Sequence, residues 1–177
     1  KEEITTYGEK LRPTISTNAT SLKLKKKRST TKFTVTGLAK GDYVTSITSS
    51  NNKIVTVTGN KNGTCKIKAG SKTGKATITI KLASGLTKQI KVTVQKKAVT
   101  CSKIKNVPKT INLKKKQTYQ LKPMIEPITC TDKAKYKSSN KKIAKVTSGK
   151  ITAVKKGKTK VTVVVGKKKF VCTVNVR

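Results

Sequence analysis

Ser138-Ser139-Asn140-Lys141-Lys142-Ile143-Ala144-Lys145-Val146 is the stretch whose reading decides the fold. It reads as a polar turn feeding a half-buried strand. Ser and Asn side chains hydrogen-bond neighbouring backbone in turns, and Ala144 and Val146 then alternate with lysine, the period of a strand. An earlier copy, Ser49-Ser50-Asn51-Asn52-Lys53-Ile54-Val55-Thr56-Val57, lies 89 residues upstream (138 less 49), and both ends of the stretch keep that offset. A repeat of constant period means two copies of one folding unit. Repetition marks architecture more than recognition, so a specific site is expected where the copies differ, at 37–43, 59–74 or 124–135.

Working outward, the same alternation fills both copies. In the first, Phe33 and Val35, then Cys65, Ile67 and Ala69, then Ala76, Ile78 and Ile80, then Ile90, Val92 and Val94 share faces along short runs. In the second, Tyr119 and Leu121 stand where Phe33 and Val35 stand, and Ile151 with Ala153, Val161 with Val163 and Val165, and Phe170 with Cys172, Val174 and Val176 follow. Gly and Asn clusters such as Gly59-Asn60-Lys61-Asn62-Gly63 punctuate the runs as turns. Each copy has roughly seven short strands with a turn every ~8–12 residues and no window of helical period, the pattern of an immunoglobulin-like sandwich. The expected class is all-β, two tandem immunoglobulin-like antiparallel β-sandwiches. Residues 1–10 are expected to be a tail or linker, 11–96 the first sandwich and 97–177 the second.

Composition argues against this, and periodicity overrules it. Lys+Arg number 43 against 6 Asp+Glu, for a net charge of +37, with no histidine and 33% hydrophobic residues. Low hydrophobicity with one sign of charge is a signature of disorder, but here the apolar residues alternate with Lys and Thr, so one strand face can be buried while the other carries charge. The charge is lysine; arginine occurs only at Arg12, Arg28 and Arg177. Lysine is a hydrated point charge and a poor bidentate reader, which favours diffuse attraction to polyanions. Lys25-Lys26-Lys27, Lys114-Lys115-Lys116 and Lys167-Lys168-Lys169 fall at expected turns and are the candidate polyanion contacts. Specific nucleic-acid reading is not expected, because arginine and base-stacking aromatics are scarce. No run of ~18 apolar residues exists, so membrane insertion is not expected.

Catalysis and metals find little support. Without histidine no Ser-His-Asp or Cys-His arrangement can form, and Asp42, Glu126 and Asp132 stand apart in sequence. No Cys-x-x-Cys pair occurs among Cys65, Cys101, Cys130 and Cys172, so no zinc or other cofactor is expected. Cys65 and Cys172 lie on apolar faces and read as small buried hydrophobes. Cys101 and Cys130 are candidates for a disulfide clamping the start of the second unit to its proline loop, which secretion would permit.

The second copy resembles the bacterial immunoglobulin-like domain of group 2. It carries Leu113, Tyr119, Pro127, Tyr136 where the family usually has tryptophan, Ser138-Ser139-Asn140, Ile143-Ala144, Val146, Gly149-Lys150-Ile151-Thr152-Ala153, Gly157, Val161, Val163 and Cys172-Thr173-Val174-Asn175-Val176. The first is similar in looser form, with Ser49-Ser50-Asn51, Ile54, Val57, Gly74, Ile78 and Val92-Thr93-Val94, and Ile47 at the aromatic position. The resemblance implies tandem modules of a larger protein, secreted or on the bacterial cell surface, with no shared catalytic site. Two functions stay open: a non-catalytic spacer or cell-adhesion segment, and an adhesin module whose lysine-rich turns bind cell-wall or host anionic polymers such as teichoic acid or mucin.

Overall fold

The computed structural model describes residues 12–177; the tail expected over 1–10 lies outside them. The chain divides into two compact units between Val99 and Thr100. The first holds β1 (Ser16–Thr17), β2 (Ser21–Lys25), β3 (Ser29–Thr30), β4 (Val35–Thr36), β5 (Val44–Ser49), β6 (Val55–Gly59), β7 (Cys65–Ala69), β8 (Gly74–Leu82) and β9 (Thr87–Gln95). These form a four-stranded sheet β2-β9-β8-β5, a three-stranded sheet β3-β7-β6 and a short ribbon β1-β4.

The second unit holds β10 (Lys103–Lys105), β11 (Thr110–Leu113), β12 (Thr118–Gln120), β13 (Met124–Glu126), β14 (Ala134–Ser138), β15 (Ala144–Thr147), β16 (Lys150–Ala153), β17 (Gly157–Val165) and β18 (Lys168–Val176). Its sheets are β11-β18-β17-β14, β12-β16-β15 and the ribbon β10-β13. Adding nine to every strand number of the first unit reproduces the second, so both copies follow one connectivity. Nine elements replace the seven expected, because β1, β3 and β4 are pieces of only two residues, too short to show a period. Pairing is antiparallel except for β2 with β9 and β11 with β18; a parallel pair needs a long crossover, and the body of each unit supplies it.

Alternation does the folding. In β17 the residues Thr159, Val161, Val163 and Val165 turn inward, and in β18 Cys172, Val174 and Val176 do so. With Ile111, Leu113, Leu121, Ala144 and Ile151 they form the core of the second unit, against which Tyr136 and Phe170 pack. In the first unit Phe33, Val55, Ile67, Ile78, Ile80, Ile90 and Val92 are fully buried. One expected equivalence fails. Thr30 pairs with Ile67 as Tyr119 pairs with Ile151, while Val35 N donates to Gly63 O as Leu121 N donates to Gly149 O. Leu121 does match Val35, but Tyr119 matches Thr30, and Phe33 sits in extra chain the second unit lacks. Accordingly Phe33 is 0% exposed and Tyr119 39%.

The repeated Ser-Ser-Asn builds the same corner twice. Asn51 O accepts from the backbone N of Ile54 and Val55, and Asn140 O from Ile143 and Ala144. Asn51 Oδ1 accepts from Lys53 N and Asn140 Oδ1 from Lys142 N, each at 3.0 Å, the side-chain mimic of a backbone turn. Ser50 Oγ accepts from Thr77 N, and Ser139 Oγ from Lys160 N, which hold the corner against β8 and β17. The motif is therefore occupied by its own fold.

Candidate functional site

The two lysine triplets of the second unit do not converge. Lys25-Lys26-Lys27 opens the turn after β2, where Arg28 N donates to Lys25 O; the equivalent turn at Lys114-Lys115-Lys116 is closed by Gln117 N donating to Lys114 O. Lys25 and Lys26 are half-buried, and the other seven triplet lysines are exposed. Within the second unit, Leu113 pairs with Val176 and Val165 with Lys168. Lys114–116 and Lys167–169 therefore stand at opposite ends of strands nine residues long, roughly 27 Å apart.

Lysines gather instead on the outer faces of the four-stranded sheets. In the second unit Lys135 and Lys137 of β14, Lys158 and Lys160 of β17 and Lys169 of β18 are all exposed and turned from the core. In the first unit the register sets two rows side by side: Lys23, Thr93 and Lys75 across β2, β9 and β8, and next to it Ser21, Lys91 and Thr77. The second row is extended by Ser50, whose N donates to Thr77 O at 2.9 Å. These residues line a cleft of about 440 Å³ with Leu22, Ala76 and Val92 beneath. Sequence reading passed over this site because it looked for contiguous lysines. The usable signal was Lys at every second position, as in Lys158-Thr159-Lys160, which places charge on one face of a strand.

The acids serve as clasps. Asp42 accepts from Ser84 Oγ (2.6 Å), Ser84 N (3.1 Å) and Tyr43 N (2.9 Å), tying the loop before β5 to the β8–β9 hairpin. The Ser84 hydroxyl, more than the backbone donors, holds its carboxyl below the usual carboxylate range. Asp132 Oδ2 accepts from Cys101 N at 2.8 Å and lies against Gly166 of the β17–β18 hairpin. Glu126 pairs with Lys105 at the surface, an exposed pair of small energetic value. Lys61 Nζ sits 5.3 Å above the Tyr43 ring.

All four cysteines are buried free thiols. Burial pushes the Cys65 thiol up to about 11 and raises that of Cys172. Cys101 and Cys130 share one core, and Asp132 connects them, since its backbone N also donates to Cys130 Sγ at 3.3 Å. Among the described residues no group of three or more His, Cys, Asp or Glu could hold a metal ion, and no helix is long and apolar enough to cross a membrane.

The sequence model of the bacterial Ig-like domain (group 2) matches residues 98–176. The match takes in the second unit almost whole. The matched residues include the Ser138–Asn140 corner and the β16, β17 and β18 core positions described above. The first unit lies outside the match and shares the connectivity. No curated protein matches the chain. Among solved structures the chain is similar to domains 5–6 of the S-layer protein SbsC, at 20% identity and TM-score 0.45, over 92% of this chain and 96% of that one. It is also similar to SbsC domains 4 and 5, at 21% identity and TM-score 0.41 over 81% of each. A chimeric titin Z1Z2 matches at 11% identity and TM-score 0.32, over 92% of this chain and 95% of that one.

Proposed function

We propose that the chain is a non-catalytic structural segment of a secreted bacterial surface protein, acting as a spacer or adhesion module. The observation that carries this reading is the match of the bacterial Ig-like family to residues 98–176. The repeated connectivity of the first unit supports it, since repetition of a self-contained sandwich lengthens a chain without adding chemistry. Antibodies raised against the chain should label intact cells of the producing bacterium. Labelling that appears only after lysis overturns the reading.

A second reading, contact with anionic polymers of the wall or of a host, is favoured by the outward lysines of the four-stranded sheets. Dozens of like charges produce a potential of several kT near a surface despite screening over ~8 Å. Retention on purified cell walls should fall about tenfold or more between ~50 and ~200 mM salt. No retention at the lower salt removes this reading and leaves the first intact.

A further inference from the structure

We infer that the outer face of β2-β9-β8 in the first unit is a discrete site for the tetrahedral oxyanion of a polyol-phosphate or polyol-sulfate chain. The inference rests on the polyanion reading and adds a location and a ligand chemistry to it. Lys23 and Lys75 flank Thr93 on either side, and Lys91 lies two residues along β9. Their Cα atoms mark a triangle roughly 10 Å by 8 Å by 8 Å from strand spacing and rise. Flexible four-carbon stems let three ammonium groups converge above Thr93.

The floor is suited to an oxyanion and its polyol. The hydroxyls of Ser21, Thr77 and Thr93 border the same cleft and make no hydrogen bond among the described residues, so they are free to donate. No acid competes there: Asp42 is the sole acid of residues 12–99, and its carboxylate is engaged by Ser84 and Tyr43. No aromatic residue lines the cleft. A nucleic-acid base would therefore find nothing to stack on, whereas sugar or polyol hydroxyls meet Ser and Thr.

The second unit provides an internal contrast. Its corresponding rows read Asn112, Asn175, Lys158 and Thr110, Thr173, Lys160. Both lysines lie on one strand, and Asn175 Nδ2 donates to Asn112 Oδ1 at 3.0 Å, which fills the row with an internal bond. Where lysines do flank the middle strand of the second unit's sheet, Lys135 and Lys169 enclose Val164, which has no hydroxyl to donate.

The test uses the full chain, a synthetic poly(glycerol phosphate) oligomer and titration calorimetry at ~100 mM salt, with K23Q/K91Q compared to the charge-matched K114Q/K115Q. K23Q/K91Q should weaken binding about tenfold and lower the salt slope by about two, and the control should change affinity less than about threefold. Amide NMR shifts should centre on Thr77 and Thr93. Equal losses in the two variants overturn the site while leaving diffuse polyanion contact standing. Absence of binding by the unsubstituted chain at ~50 mM salt overturns both. Oligothymidylate of equal charge that competes equally, with the same dependence on Lys23 and Lys91, overturns the polyol assignment. All substituted lysines are exposed, and circular dichroism confirms that the variants fold.

Discussion

Replacing the first serine of the repeated motif by alanine should destabilise one copy and leave the other nearly unchanged. Ser138 ends β14, is 6% exposed and donates through Oγ to Ala144 O at 2.6 Å. β14 belongs to the four-stranded sheet and β15, which Ala144 opens, to the three-stranded one. This hydroxyl therefore ties the two layers of the second unit. Ser49 occupies the same place in the first unit but is half-buried, and its Oγ accepts from Asn51 N at 3.3 Å, a local bond within the turn. Removing a buried hydroxyl whose partner carbonyl is left short of a donor costs about 1–3 kcal/mol. Loss of a long, local, partly solvated bond costs within about 0.5 kcal/mol. We take about 1.5 kcal/mol for Ser138→Ala, or roughly tenfold faster exchange of amides that open with the whole unit. Hydrogen exchange of the intact chain reads each unit separately. In Ser138→Ala the amides of Val161 and Val163 should lose about tenfold protection, with those of Ile78 and Ile80 unchanged. Ser49→Ala should leave both sets within about twofold. Equal effects in the two copies, or no effect of Ser138→Ala, would refute the assignment of sheet-to-sheet bonding to this hydroxyl.

Acid should loosen the loop before β5. The Ser84 hydroxyl holds the folded Asp42 carboxyl below the ordinary carboxylate range, so its contribution is complete above the unfolded value and is lost as pH falls through the lower folded one. A carboxyl-carbon NMR titration should show the depressed midpoint, and Ser84→Ala should return it toward the ordinary value. Gly63→Ala should cost about 2 kcal/mol or more by urea denaturation, because φ is +88° and the new Cβ would lie 2.5 Å from Val35 O. Gly41→Ala, at φ +86° with nothing within 4 Å, should cost only about 1 kcal/mol. Cys65, 5% exposed with a thiol raised to about 11, should resist iodoacetamide at pH 8 for as long as the first unit stays folded and react fully in denaturant; alkylation at the rate of a free thiol contradicts its burial.

How far the fold could be read depended on the sequence distance over which each determinant acts. The Ser-Ser-Asn corner was legible because its side chains bond within two residues, as Asn140 does with Lys142. The long strands β8, β9, β17 and β18 were legible because nine residues show a period. The placement of Phe33 was not: Thr30 keeps the offset of 89 to Tyr119, but Val35 stands 86 before Leu121, and the extra chain between them that holds Phe33 has no local signal. The clasps of Asp42 to Ser84 and of Asp132 to Cys101 span 42 and 31 residues, and only connectivity brings such partners together. The candidate site is a case of the same kind. Lys23, Lys75 and Lys91 come from three strands, and their adjacency follows from the parallel pairing of β2 with β9, which no local signal specifies.

The register also explains how a chain of net charge +37 folds without a matching set of acids. Like charges directly opposite one another on neighbouring strands destabilise a sheet. Among the strand pairs described, no lysine faces a lysine. Lys75 and Lys23 both face Thr93, and Lys91 faces Ser21 and Thr77. Lys158 faces Asn175, Lys160 faces Thr173, and Lys169 faces Val164. Lys137 faces Thr162, and Lys66 faces Thr58. Charges are thereby held to diagonal or next-but-one neighbours at roughly 7–10 Å, comparable with the ~8 Å screening length. The intervening Thr, Asn and Val supply β-propensity and, where they are Thr or Ser, hydroxyls beside the ammonium groups. Spacing that limits repulsion within the sheet also leaves lysines separated by hydroxyl groups, which is the pattern an oxyanion polymer needs. In the first unit three of those spaced lysines enclose one threonine, the arrangement on which the proposed site rests.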